Sequence, residues 1–341
     1  MQRSRVIIIF LMIFSLFGLF FLPLLGRTMI SPSTFLHFLT ANSELRQSDP
    51  LFLIFWNERF PKTLLSMLAG SGLALSGMTL QAIFRNPLTT PYTLGIASGA
   101  AFGVSLSLTL GTLLTSCGIP IIFWGLTRPI WFAFGGSLMA MGIVYLLSRI
   151  RSTSSDQLLL AGIAVSFFFS SLVLSLQYIT DPTKTFRILR WTMGGIDFID
   201  IGHLVPLIII ILAYAAILFY FSRELNILLT GQEQAISLGV EVGKVRIFLF
   251  FLSSMTVGAI VAICGPIGFV GLMVPHLCRF WVGSDHYILT PVVFFFGAIF
   301  LAVCYTISRT LFLATVLPVG IITSLLGGPF FLILLLNQKK T

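Results

Sequence analysis

The sequence predicts an all-α polytopic membrane protein of about ten transmembrane helices, and three observations carry that class. Of the 341 residues, 57% are hydrophobic and 9% are charged, against roughly 25% charged in a soluble domain. No soluble fold of this length could bury so much apolar side chain. The apolar residues come in continuous runs of about twenty, the helix length that crosses a hydrocarbon core of about 30 Å. The runs do not alternate, as the strands of an outer-membrane barrel would.

The first span is expected at 6–25, behind the basic MQRSR. Its apolar core is longer than that of a signal peptide and has no small-residue cleavage site, so it reads as retained. Residues 31–58 read as a polar connection whose apolar run LFLIFW is too brief to cross. Further spans are expected at 63–84, 94–114, 129–147, 158–179, 204–221, 245–264, 288–307 and 318–336. The stretch 267–280 would be about 21 Å long as helix. It holds Pro275, His276 and Arg279 behind Gly265, Pro266 and Gly268. It reads as a short or broken tenth helix inside the protein, where irregular backbone is tolerated.

Ten spans put both termini on one side. The basic ends MQRSR and NQKK place that side in the cytoplasm, and the loop charges add only a slight bias. Gly95, Gly99 and Gly103 recur every four residues, and Gly70, Gly72, Ala74, Ser76 and Gly77 crowd the preceding span. Both faces predict close helix–helix approach.

One polar island interrupts the hydrocarbon, at 223–246. It carries Arg223, Glu224, Glu233, Glu241, Lys244 and Arg246. Gly231 and Gly239 bracket QEQAISL, about two helical turns, with Gly239 placed to stop the helix. Ala235 and Leu238, with Ile236 close by, offer it an apolar side. On residues alone this is either a solvated loop or a docking element for a soluble partner.

Several chemistries are missing. The best phosphate-loop candidate ends at Gly243-Lys244 but has Leu238 for the required Gly and Val245 for the required Ser or Thr. His37, His203, His276 and His286 lack zinc spacing, and Cys117, Cys264, Cys278 and Cys304 lie far apart. No metal site, cofactor or catalytic residue is implied. The net charge of +9 is spread over loops with no basic block, so nucleic acid is not suggested. No span centre carries an acid, which weakens an ion-coupled secondary carrier without removing it.

Six blocks then fix a resemblance: RFPKTLLSMLAGSGLALSGMTLQAIFRNPLTTPYTLGIASGAAFG (59–103), LLLAGIAVS (158–166), ILRWTMGG (188–195), LNILLTGQEQAISLGV (225–240), GPIGFVGLMVPHLCRFWVGSDH (265–286) and LPVGIITSLLGGPFFLILLL (317–336). In order and spacing the chain closely resembles the FecCD-type permeases of ABC importers for iron–siderophore complexes, haem and cobalamin, and is cobalamin-permease-like in fold. The blocks cover about five-sixths of the chain.

The resemblance implies one transmembrane permease domain over 1–341, with an external loop at 26–60 and a coupling loop at 223–246. It implies two ATP-binding subunits beneath, a second permease subunit (a copy or a paralogue) and an extracytoplasmic substrate-binding protein, all at a bacterial inner or plasma membrane. ATP hydrolysis would lie on the separate subunits. A ferric siderophore is the first cargo implied, with haem or cobalamin as alternatives. The positions matching the ATPase-coupling element are Gly231, Gln232, Glu233, Ala235, Leu238 and Gly239. Those matching the binding-protein contacts are Arg59, Lys62 and Arg309. Those matching the cytoplasmic gate are Ser155 and Asp156, which also suit the N-terminus of the span beginning at Gln157. The substrate path would run along the subunit interface, with the fifth and tenth spans contributing. The chain departs from the family pattern at Thr89-Thr90, Asp156, Gln232, Ile236, Tyr305 and Val316, mostly on surfaces that face partners.

Overall fold

The computed structural model describes residues 2–40, 49–118, 122–123, 126–150, 155–196, 201–312 and 315–338. Helix α1 (Gln2–Phe21) is followed by α2 (Pro32–Thr40) and by α3, which runs unbroken over Pro50–Phe84 with a π-turn at Ile54–Arg59. Then come α4 (Ile96–Thr109), α5 (Gly111–Ser116), a small antiparallel hairpin pairing β1 (Ile122–Phe123) with β2 (Leu126–Thr127), and α6 (Arg128–Ile150). The chain continues through α7 (Ser155–Ile179), α8 (Pro182–Thr192), α9 (Ile201–Tyr220), α10 (Ser222–Thr230) and α11 (Gln232–Ser237). It closes with α12 (Val242–Cys264), α13 (Val270–Val282), α14 (His286–Thr310) and α15 (Val319–Gln338).

Among the described residues, α1, α3, α6, α7, α12 and α14 are long and apolar enough to cross a membrane. α9 and α10 pass the same test only as a pair bent by 56°, and α4, α13 and α15 are shorter apolar helices, so six or seven spans plus three shorter helices are roughly consistent with the ten expected.

Two expectations change. The run 51–56 is not part of a polar connection but the opening of α3. Asp49 caps it by accepting the Leu51 N–H at 2.8 Å, and Pro50 fits the first helical position. Its aromatics build a satellite core in which Phe55 is fully buried with Leu24, Ile30 and Phe38. The span expected at 94–114 breaks after Thr109 and restarts at Gly111. It begins late because 86–95 is a chain of turns, with Thr89 N–H on the Asn86 carbonyl and Gly95 N–H on that of Tyr92. This loop enters the bundle: the Thr93 carbonyl lies against Gly162, two turns inside α7.

α3 is the axis. Every residue from Leu65 to Ile83 is buried. Its small residues permit this, because Gly70 meets the Gly297 carbonyl of α14 and Gly77 meets the Gly271 carbonyl of α13. The four-residue glycine repeat divides its work. Gly99 and Gly103 seat α4 on the backbone of α6 at Gly136 and Phe132, while Gly95 lies just ahead of the helix, in the turn.

Candidate functional site

The polar island forms a bent projection at the end of α3 that carries Arg85. α10 keeps Leu225 and Leu228 buried against the bundle. Gly231, at φ +132°, then breaks the chain direction, and Arg85 lies against it. α11 is six residues long and ends in a Schellman motif. Gly239 adopts φ +81° and gives its N–H to the Ile236 carbonyl at 3.0 Å, and Val240 N–H reaches the Ala235 carbonyl at 3.0 Å.

Ala235 is 0% exposed and seats the turn. Ile236 and Leu238 are 59% and 60% exposed, beside an exposed Glu233. The apolar side expected to unite Ala235 with Leu238 is therefore divided. Leu238 is the C-cap, at ψ 10°, so it has left the helical path that would carry it back under Ala235. Gln232 Oε1 accepts from Arg246 Nη1 at 3.4 Å, and Lys244 pairs with Glu241 at 2.8 Å on the surface. Such an exposed pair contributes about 0–1 kcal/mol. What the projection offers a partner is thus two bare aliphatic side chains among mixed charges.

At the other end of α3, Arg59 and Arg309 converge on one segment. Arg59 Nη1 donates to the carbonyls of Pro23 at 3.2 Å and Leu24 at 3.5 Å. Its Nη2 donates to the Thr28 carbonyl at 2.9 Å and to Thr28 Oγ1 at 2.8 Å. Arg309 Nη2 donates to the Leu22 carbonyl, and its guanidinium stacks 5.3 Å from the Tyr305 ring centre. Both arginines are 8% exposed, whereas Lys62 is half-buried. The structure thus brings the two arginines together beneath 22–28 and leaves Lys62 the most accessible of the three.

Arg59→Leu strands the buried carbonyls of Pro23 and Leu24, each costing about 1–3 kcal/mol. We expect a lower thermal midpoint in detergent and new protease cleavage within 22–31. Arg59→Lys should recover only part of the loss, since an ammonium cannot span the same fork.

α7 begins at Ser155, as a helix start there requires. The side chains of Ser155 and Asp156 lie outside the described residues.

Between these ends lies a cavity of about 760 Å³, within the 300–1,000 Å³ range of ligand pockets. Its polar groups are the hydroxyls of Thr90, Thr93, Thr192 and Ser324 and the Tyr92 phenol, and among the described residues no carboxylate or cation lines it. α15 supplies one wall through Gly320, Ile321 and Ser324. Among the described residues no α7 residue is in the lining, whose other walls are the 88–93 loop and the Pro266–Leu272 segment. Phe269 stands at φ +66°, rare for a bulky residue. Its ring presses on Gly327 of α15, where no Cβ would fit. The sequence reading missed these walls. The signals were Pro87 and Pro91 in NPLTTPY, and GPIGF ahead of the short helix.

The profile of the FecCD transport family matches residues 7–337. The hemin transport system permease HmuU of Yersinia pestis is 39% identical over 86% of this chain and 86% of its own. The molybdate import permease MolB of Haemophilus influenzae is 35% identical over 93% and 91%. The cobalamin import permease BtuC of Halobacterium salinarum is 36% identical over 82% and 73%. A transporter solved in an inward-facing conformation and assigned to the metal-chelate ABC type superposes with a TM-score of 0.80 at 31% identity, covering 97% of this chain and 99% of that one.

Proposed function

We propose, from the premise that the chain belongs to the FecCD transport family and is thus an ABC importer permease, that it carries a ferric siderophore inward. The observation that supports the importer part of this reading is the α11 projection, a capped turn that offers Ile236 and Leu238 to a partner at the opposite end of α3 from Lys62. In this reading α11 meets a cytoplasmic ATP-binding subunit, and Gly231 and Gly239 fix its angle. Both termini are cytoplasmic, and the membrane is a bacterial inner or plasma membrane. A second permease subunit, a copy or a paralogue, covers the exposed Phe167, Phe168, Leu174 and Tyr178 of α7. ATP binding closes the two ATPases, the turns move, and the path opens to one side and then the other, gated near Ser155 and Asp156.

The cavity supports a bulky chelate. Apolar walls with scattered hydroxyls let such a cargo pass without holding it. A small oxyanion would lose its hydration there with no cation to replace it, so the molybdate relative is the poorer guide to cargo. Haem is the second reading, favoured by the hemin permease at 39% identity, and cobalamin fits the same walls.

The test is purification in mild detergent. A nucleotide-binding subunit recovered near 1:1, with ATP hydrolysis raised by a loaded binding protein, supports the importer. Uptake by the purified chain alone would replace it with an ion-coupled carrier. The outer end is proposed to receive the binding protein through Lys62, over a segment organised by Arg59 and Arg309. Lys62→Glu should then slow binding-protein association about tenfold at low salt and less at high salt, read by surface plasmon resonance.

A further inference from the structure

One side chain joins the polar island to the helix that reaches the far end of the molecule. Asn226 lies on α10, and its carboxamide oxygen accepts the backbone N–H of His286 at 2.9 Å and lies 2.7 Å from the ring Nδ1. Its amide nitrogen donates to Asp285 Oδ1 at 2.8 Å. That same Oδ1 accepts the Tyr287 N–H at 3.1 Å, the capping bond that opens α14. The carboxamide can face only this way. Turned over, its nitrogen would meet an N–H donor and its oxygen a carboxylate. The same contacts put the imidazole proton on Nδ1. His286 is fully buried and Asn226 half-buried, so little water competes for the two bonds to His286, while Asp285 and its bond to Asn226 are exposed. Leu225 and Leu228 are buried on either side, and the Phe219 ring meets Tyr287 edge-on at 6.0 Å.

From this clip α14 runs 25 residues, about 37 Å, to Arg309, which holds the Leu22 carbonyl. Midway it is locked to α3 where Gly297 meets Gly70. Pro291 removes one rung of its hydrogen-bond ladder, but packing against α3, α1 and α13 holds the helix as one body.

We infer that Asn226 is a positioning residue that passes displacement of the α10–α11 projection to the first turn of α14, and through α14 to the 22–28 segment over Arg309. The inference rests on the importer reading, with α11 as the driven end. It joins two sequence blocks about 60 residues apart, neither of which suggests the link by itself.

The test uses the complete complex with its ATPase partner in lipid nanodiscs. A spin label is placed at Leu311→Cys, just past α14, in a Cys117→Ser background, and MgATP with vanadate is the probe. Per assembled complex, Asn226→Ala should cut the nucleotide-induced change at the label at least fivefold. Asn226→Asp should do the same, because it sets a carboxylate against Asp285. Combining Asn226→Asp with Asp285→Asn rebuilds the amide–carboxylate pair and keeps the cap, and should restore the change to within twofold. A merely structural asparagine would lower assembly or the thermal midpoint and leave the change per complex intact. That result, or no recovery in the exchanged pair, overturns the inference. A parent complex with no nucleotide response would overturn the importer reading, and the inference with it.

Discussion

Replacing Gly77 by valine is expected to abolish the folded protein. A Cβ at this position would lie 1.9 Å from the Gly271 carbonyl oxygen and 2.5 Å from its carbon and Cα. These are backbone atoms of a neighbouring helix, so no side chain can swing aside. α3 cannot turn away either, because residues 65–83 are buried all round. Separating α3 from α13 would cost more than the 4–5 kcal/mol that marks an exceptional single substitution. The control is Gly142→Val on α6, where an added Cβ meets nothing within 4 Å. That variant should express and elute like the parent, whereas Gly77→Val should give no monodisperse peak in size-exclusion chromatography.

The second large effect is expected at the exposed turn. Ile236→Asp with Leu238→Asp should leave insertion and thermal stability near the parent's, since both side chains already face outward. Against a partner the outcome reverses. Burying each aliphatic side chain contributes about 1.5–3 kcal/mol, so the pair accounts for about 3–6 kcal/mol of the contact. That corresponds to roughly 10²–10⁴-fold in affinity for the nucleotide-binding subunit. Recovery of that subunit on affinity purification, and ATP-driven uptake in vesicles, should both fall at least 100-fold. Parent-level recovery would remove these two residues from the contact. Glu233, exposed beside them, adds charge register but less affinity.

How much of this was readable in advance depended on the range of the signal. An apolar run of twenty residues is a statement about lipid and needs no tertiary partner, so the spans and their order were legible. So was the turn between Gly231 and Gly239, because a left-handed cap is a local demand that glycine meets. The 51–56 run was misread because its length argued against crossing, while the cap at Asp49 and the aromatic cluster around Phe55 made it the head of a longer helix. The burial of Arg59 and Arg309 was not legible. An arginine at a span end looks the same whether it faces water or lies under a folded segment, and here 22–28 decides. The cavity walls at 88–93 and Phe269 escaped for a related reason: both are irregular backbone drawn into the bundle by contacts with helices far along the chain. The clip between Asn226 and His286 joins residues whose separation no local pattern encodes.

The central claim is that this lipid-embedded chain is driven at α11 by a separate ATP-hydrolysing subunit. It is tested most directly by photocrosslinking in native membranes, with a benzophenone amino acid at Ile236, Leu238 or Leu311. The account predicts that the probes at 236 and 238 capture the nucleotide-binding subunit in high yield and that the probe at 311 does not. Labelling of positions 236 and 238 by membrane-impermeant reagents from outside intact cells, or capture of the ATPase through 311, would contradict it.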